Sequence, residues 1–144
     1  LRLGHKQKGR SEEVAAKQAE LAGRLGWNMR AARAHARRLP DSYWLAEPIE
    51  WIAANARQIA AAEGRIGPAE PDVIVEGDSE GATRVSVFAP DRPGLFYRIC
   101  AGLAAAGASI IDARIHTTRD GMALDNLLVQ DGRGWPYGDK RLRQ

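Results

Sequence analysis

Ala89-Pro90-Asp91-Arg92-Pro93-Gly94-Leu95-Phe96 joins two stretches of different period, and that change decides the fold. Upstream, Val85 and Val87 alternate with Arg84 and Ser86, as a half-buried strand requires. Downstream, Phe96, Ile99, Cys100 and Leu103 recur at helical spacing. The sequence therefore predicts a strand, a tight loop and a helix. Pro93 suits the first helical turn, where its missing N–H would have no intrahelical partner, and Gly94 lets a ligand approach the backbone. The first turn of a helix points unpaired N–H groups and the positive end of the helix dipole outward, so this loop can seat a carboxylate. The same spacing also fits a plain strand-to-helix turn.

Working outward, the downstream sequence predicts a helix closed by Gly107, then a strand from Ser109 to Thr117. That strand is expected to carry Ile111, Ala113 and Ile115 on one face and Asp112, Arg114 and His116 on the other. Asp120-Gly121 marks a tight turn into a further strand, Met122 to Gln130, whose two faces are both largely apolar and which is therefore expected inside the sheet. Upstream, Val73-Ile74-Val75-Glu76 and the polar run Gly77 to Gly81 read as a hairpin leading into Thr83 to Ala89. Strand, helix, strand, strand is the first part of a β-α-β-β-α-β unit. Its final helix and strand are missing: Asp131 to Gly138 is turn-rich, and Asp139 to Gln144 offers only the start of a helix. Part of one sheet face and one edge should then be uncovered, or completed by another chain.

The chain changes character near Gly64-Arg65-Ile66-Gly67-Pro68, where Ala-rich helical sequence gives way to alternating sequence. This divides it into a helical segment, residues 1–66, and a sheet-forming part, residues 67–144. In the first part Ser11 reads as an N-cap followed by Glu12 and Glu13, with Val14, Leu21 and Leu25 as an apolar stripe ending near Gly26. A second helix is expected from about Asn28 to Leu39, ended by Pro40, with Pro40 to Leu45 as an aromatic-bearing turn. Pro48 opens a third helix with Ile49, Ile52, Ala53, Ala56, Ile59 and Ala60 on its buried face. Trp27, Trp44 and Trp51 then read as packing anchors rather than as a stacking platform for bases.

Composition narrows the function classes. With 144 residues the chain has room for one ordinary domain, or for a small domain plus a helical extension. Residues 1–70 carry a net +4 and residues 71–144 a net −1, from 12 Lys/Arg against 8 Asp/Glu and 9 against 10. That excess is too small for a nucleic-acid interface, and the basic residues Arg2, Lys6, Lys8 and Arg10 have no aromatics among them. They read as a solvated terminus. No apolar run approaches the roughly 20 residues that cross a bilayer, and no secretory leader is evident, which points to an unexported, cytoplasmic protein without a membrane partner. Cys100, the only cysteine, reads as a small core residue, and His5, His35 and His116 lack metal-ligand spacing. No metal site, and no nucleophile with a neighbouring base, is identified, so this segment is expected to hold no catalytic residue.

The stretch Val85 to Phe96 resembles the opening of an ACT domain, the small βαββαβ module that commonly binds amino acids in regulated enzymes. The run Ile111-Asp112-Ala113-Arg114-Ile115-His116-Thr117-Thr118-Arg119-Asp120-Gly121-Met122-Ala123-Leu124-Asp125 is more specific. It is similar to the first ACT domain of the bacterial PII uridylyltransferase/uridylyl-removing family of nitrogen regulation. Leu39 to Leu45 and the Trp51 to Ala62 helix are similar to the segment preceding that domain. The resemblance implies an α+β fold: a helical segment, then an incomplete ferredoxin-like βαββ(αβ) ACT domain, as a fragment of the family's chain. It also implies a sensor that reads glutamine or another small amino acid and switches a catalytic machine between adding UMP to PII and removing it.

The family's Gly-Ser transferase motif and its His-Asp metal motif are absent from this sequence. Its cofactor, a divalent metal such as magnesium, therefore belongs to parts outside this segment. The candidate ligand-binding residues are Asp91, Arg92, Pro93, Gly94, Leu95 and Asp112. Backbone N–H groups near Gly94 and Leu95 would receive the effector's carboxylate, and Asp91 its ammonium, with Asp112 as a second acidic candidate. Asp91 also fits a helix cap and Asp112 a solvent-facing strand residue. Another ACT domain, in cis or in trans, is the expected partner. A pairing or scaffold module of another regulated enzyme, without a bound effector, is the competing reading.

Overall fold

The structure is a computed structural model that describes residues 2–65, 71–79 and 81–131. The segment 66–70, at the expected boundary, and the turn-rich and helix-starting sequence from Gly132 onward lie outside the described residues. The chain divides into two compact units. Among the described residues, one holds 2–65 with 118–120, and the other holds 71–79, 81–117 and 121–131.

The helical unit contains α1 (Arg2–Leu25), α2 (Met29–Arg38), α3 (Asp41–Ala46) and α4 (Ile49–Glu63). Ser11 does not cap α1 but lies inside it. Its preference for a cap is worth only about 1 kcal/mol, and with no proline in residues 2–10 the helix continues through it. α1 ends where Gly26 adopts φ 64°, and α2 begins close to the expected Asn28, which stands just ahead of it as its cap and accepts a hydrogen bond from the Ala31 N–H at 2.8 Å. The aromatic turn expected after Pro40 is instead the short helix α3, with Pro40 just ahead of it at φ −71°. Burial explains the difference, because one helical turn carries Tyr43 and Trp44 together into the core, both at 0% exposure. The Tyr43 hydroxyl and Asn55 Oδ1 are hydrogen-bonded at 2.9 Å. On α4, Ile52, Ala53, Ala56 and Ile59 are buried as expected, joined by Trp51, whereas Ala60 is exposed. Trp44 and Trp51 are packing anchors, and Trp27 packs edge-on against His35 with centroids 5.7 Å apart.

The sheet unit contains β1 (Asp72–Ser79), β2 (Ala82–Pro90), α5 (Leu95–Ala105), β3 (Ala108–Thr117) and β4 (Met122–Asp131). The sheet runs β1-β2-β4-β3 with every neighbouring pair antiparallel. β4 lies inside it, as its two apolar faces predict. β1 pairs with β2 as the expected hairpin and takes one edge of the sheet, and β3 takes the other. The alternation of β2 and β4 places Val85, Val87, Ala89, Leu127 and Val129 on one face. Leu95, Ile99, Leu103 and Ala106 of the α5 region pack on that cluster.

Two side-chain assignments shift. Phe96 is 39% exposed, because the helix turns Leu95 and Ile99 to the sheet instead, and Cys100 is half-buried outside the cluster rather than a core residue. On β3 a bulge between Ile110 and Asp112 changes the register. The extra residue sends Ile110 against the core and leaves Ile111 51% exposed. Gly107, at φ 82°, closes α5 as expected.

Candidate ligand-binding site

The loop between β2 and α5 is held at both ends. Pro90 still pairs with Met122, and the next residue, Asp91, donates its N–H to the Gly121 carbonyl at 3.1 Å. The Leu95 N–H then donates to the Arg92 carbonyl at 3.1 Å, across Pro93 and Gly94. With Gly94 at φ 80° and ψ 2°, Arg92-Pro93-Gly94-Leu95 has the geometry of a type II turn: proline second, glycine third. Pro93 therefore stands ahead of the helix rather than in its first turn, since its fixed φ serves the turn equally well.

Gly94 is the N-cap of α5, its carbonyl accepting from the Arg98 N–H at 3.0 Å, and no side chain caps the helix. Asp91 is thus not a helix cap. The first turn of α5 also contains no acidic residue, so its dipole end has no anionic side chain of its own. Because the Leu95 N–H is engaged in the turn, the amides that remain for a carboxylate are those that follow it. Asp91, Arg92, Pro93 and Gly94 are exposed together on the loop, and Leu95 is half-buried.

Asp112 is not brought to this loop. It pairs with Leu128, which in turn pairs with Arg84, six residues along β2 from Pro90. At about 3.3 Å per residue this is roughly 20 Å along the sheet. Leu128 alternates with the helix-facing Leu127, so Asp112 also lies on the face away from α5. Its carboxylate is bonded to Arg114 Nη1 at 2.6 Å.

The residue that sequence reasoning missed is Asp125. It sits opposite Val87 and Ile115, on the α5-facing side with Ala123, Leu127 and Val129, near the loop end of β4. Only 1% of it is exposed, and its Oδ1 has no hydrogen-bond partner. Burial, and then the negative charge of Asp91, push its carboxyl up to about 6, while His116 acts in the opposite direction. A charged residue in the inward-facing set of an apolar strand was the available signal.

The helical unit has a cavity of about 770 Å³ lined by Trp27, Ala31, His35, Arg38, Ile59 and Glu63 among others. Burial, then the neighbouring Arg38 charge, lower the His35 imidazole to about 4, and its buried Nε2 has no partner. Arg38 is ion-paired with Glu63 and with Asp120, the latter at 2.9 Å. Among the described residues no group of three or more His, Cys, Asp or Glu side chains is placed to hold a metal ion, and no helix is long and apolar enough to cross a membrane.

Residues 83–134 match the ACT domain family, so the loop and Asp125 both fall inside the match. The chain carries an ACT domain. Over 142 residues it is 50% identical to the bifunctional uridylyltransferase/uridylyl-removing enzyme of Erythrobacter litoralis, covering 98% of this chain and 15% of that enzyme. The enzyme of the same description from Novosphingobium aromaticivorans is 46% identical over 139 residues, 96% of this chain and 15% of the relative. That from Zymomonas mobilis is 42% identical over 129 residues, 88% and 14%. The chain is homologous to one segment of these enzymes, spanning about 15% of their length. Its α+β architecture, helices followed by a βαββ sheet unit, is that of the ferredoxin-like ACT fold.

Proposed function

We propose that this chain is a regulatory, amino-acid-sensing segment of a bifunctional enzyme that uridylylates and deuridylylates the PII signal protein in the cytoplasm, with glutamine as the effector. The observation that carries the reading is the β2–α5 loop: a left-handed Gly94 delivering an α5 first turn without a capping side chain, inside residues that match the ACT family. The effector's carboxylate would lie against the first-turn amides, where backbone N–H groups and the helix dipole both favour an anion. Asp91, Arg92, Pro93 and Gly94 would border it, with Leu95 anchoring the turn to the core. Asp112, roughly 20 Å away on the other face, has no part in this arrangement within one unit.

Binding acts on a distant catalyst only through a difference in affinity between two domain arrangements; equal affinity shifts nothing. Uridylyl transfer and removal, and the divalent metal such as magnesium that they imply, would belong to the parent enzyme outside this segment. Calorimetry with L-glutamine, on this chain and on a longer chain with two complete ACT domains, tests the reading. Saturable heat is expected at least from the longer chain, and its absence there would remove the proposal.

A second reading, a pairing module without effector, is favoured by the edge strand β3, where Ile111 and Ile115 are 51% and 49% exposed. An apolar edge strand is suited to strand addition by another unit. Sedimentation at several concentrations distinguishes it, and a strictly monomeric species at all of them would count against it.

A further inference from the structure

Asp125 takes no part in the hydrogen bonds that hold the β2–α5 loop, and its position makes little sense as packing. A carboxylate among Val87, Ala123 and Leu127, with Oδ1 unpartnered, exerts a cost that an apolar residue of similar size would avoid. It also feels the negative charge of Asp91, which stands where the loop leaves β2. The strand register sets Asp125 two residues in from Ala123, on the face that α5 covers, and Leu95 of the first helical turn packs on the same cluster. The first turn of α5 supplies anion-seeking amides, and Asp91, on the loop that leads into that turn, and Asp125, on the sheet face that α5 covers, supply cation-seeking oxygens. Those are the two ends of a zwitterion.

We propose that Asp125, together with Asp91, receives the ammonium group of the α-amino acid whose carboxylate lies on the first turn of α5. The inference rests on the amino-acid-sensing reading and adds to it the group that selects α-amino acids from other carboxylates. An ammonium offers three N–H donors, one of which satisfies the orphaned Oδ1 and another the exposed Asp91 carboxylate. It also relieves the repulsion between the two acids. A metal ion is a poorer fit, since among the described residues no third acidic, His or Cys side chain joins the two carboxylates, and two fall short of the oxygen set that hard cations take.

The test uses the calorimetry above with two probes, L-glutamine and its counterpart lacking the α-amino group, 5-amino-5-oxopentanoate. Native protein is expected to bind glutamine at least tenfold more tightly than the des-amino acid. Asp125→Asn is expected to weaken glutamine ten- to a hundredfold, the range for a charged hydrogen bond, and to leave the des-amino acid within about threefold. Amide NMR spectra of the variant check that the sheet is intact. A second readout is proton release: near pH 6, glutamine should displace a fraction of a proton from native protein, seen in buffers of different ionisation enthalpy, and none from Asp125→Asn. The charged groups that act on Asp125 are Asp91 and, from the opposite face of the sheet beside Leu124, His116, so Asp91→Asn should diminish that release and His116→Gln should leave it in place. Equal losses for both probes, or glutamine affinity unchanged in Asp125→Asn, would overturn the inference while leaving amino-acid sensing standing. Failure of glutamine and of the other standard amino acids to bind native protein would remove both.

Discussion

Replacing Asp125 by Asn isolates the energetic consequence of burying that carboxylate, because the two side chains have nearly the same shape and only one titrates. Its carboxyl rises from 3.8 to about 6 in the folded protein. At roughly 1.4 kcal/mol per pH unit this separates the two protonation states by about 3 kcal/mol. The sign follows from proton uptake. Below pH 3.8 the residue is protonated folded or unfolded, and no penalty exists. Between 3.8 and 6 the unfolded chain gives up its proton first, so native stability declines as pH rises, and above 6 the full penalty is present. Asn escapes it. The variant should therefore gain on native protein by about 2–3 kcal/mol more at pH 7.5 than at pH 4, whatever constant offset the amide's own packing introduces. Urea titrations at both pH values, followed by hydrogen exchange of β4 amides, measure this difference of differences. A value within about 0.5 kcal/mol of zero would mean that Asp125 is solvated or paired in solution, and the ammonium site would fall with it. A residue that weakens the empty fold yet is needed for ligand is the expected signature of a binding group.

The helical unit should respond to acid in the opposite direction. Buried neutral His35, lowered to about 4 from 6.5, is carried without penalty above pH 6.5; as pH falls from 6.5 to 4 the unfolded chain takes up its proton first, and up to about 3 kcal/mol of stability is lost across that window. Hydrogen exchange of α4 amides between pH 4 and 7 should show it, and exchange independent of pH-corrected chemistry would exclude it. Gly94→Ala meets no atom within 4 Å but must hold φ 80°, at about 1–2 kcal/mol in urea. An unchanged midpoint would show that the turn has rearranged. Leu127→Ala, at a position with 0% exposure between β2 and β3, should cost about 2–5 kcal/mol by circular dichroism. A loss below 1 kcal/mol would contradict the assigned core.

What the residues alone determined were the features that depend on near neighbours. The change of period at Ala89 to Phe96 located a strand, a turn and a helix, because alternation and helical spacing are properties of one segment against one surface. The start of α2 near Asn28, Gly107 as a stop and the anchoring tryptophans were legible for the same reason. Packing partners decided the rest. The bulge that trades Ile111 for Ile110 exists only relative to β4. Pro40 to Leu45 became helical because two aromatics found a core together. Asp112 and Asp125 look alike as acids in strand sequence. The sheet carries one to a salt bridge on the far face and the other, without a partner for its Oδ1, to the side that α5 covers. Burial and the distance between charges are properties of the assembled sheet, and they are what turn a carboxylate into a site.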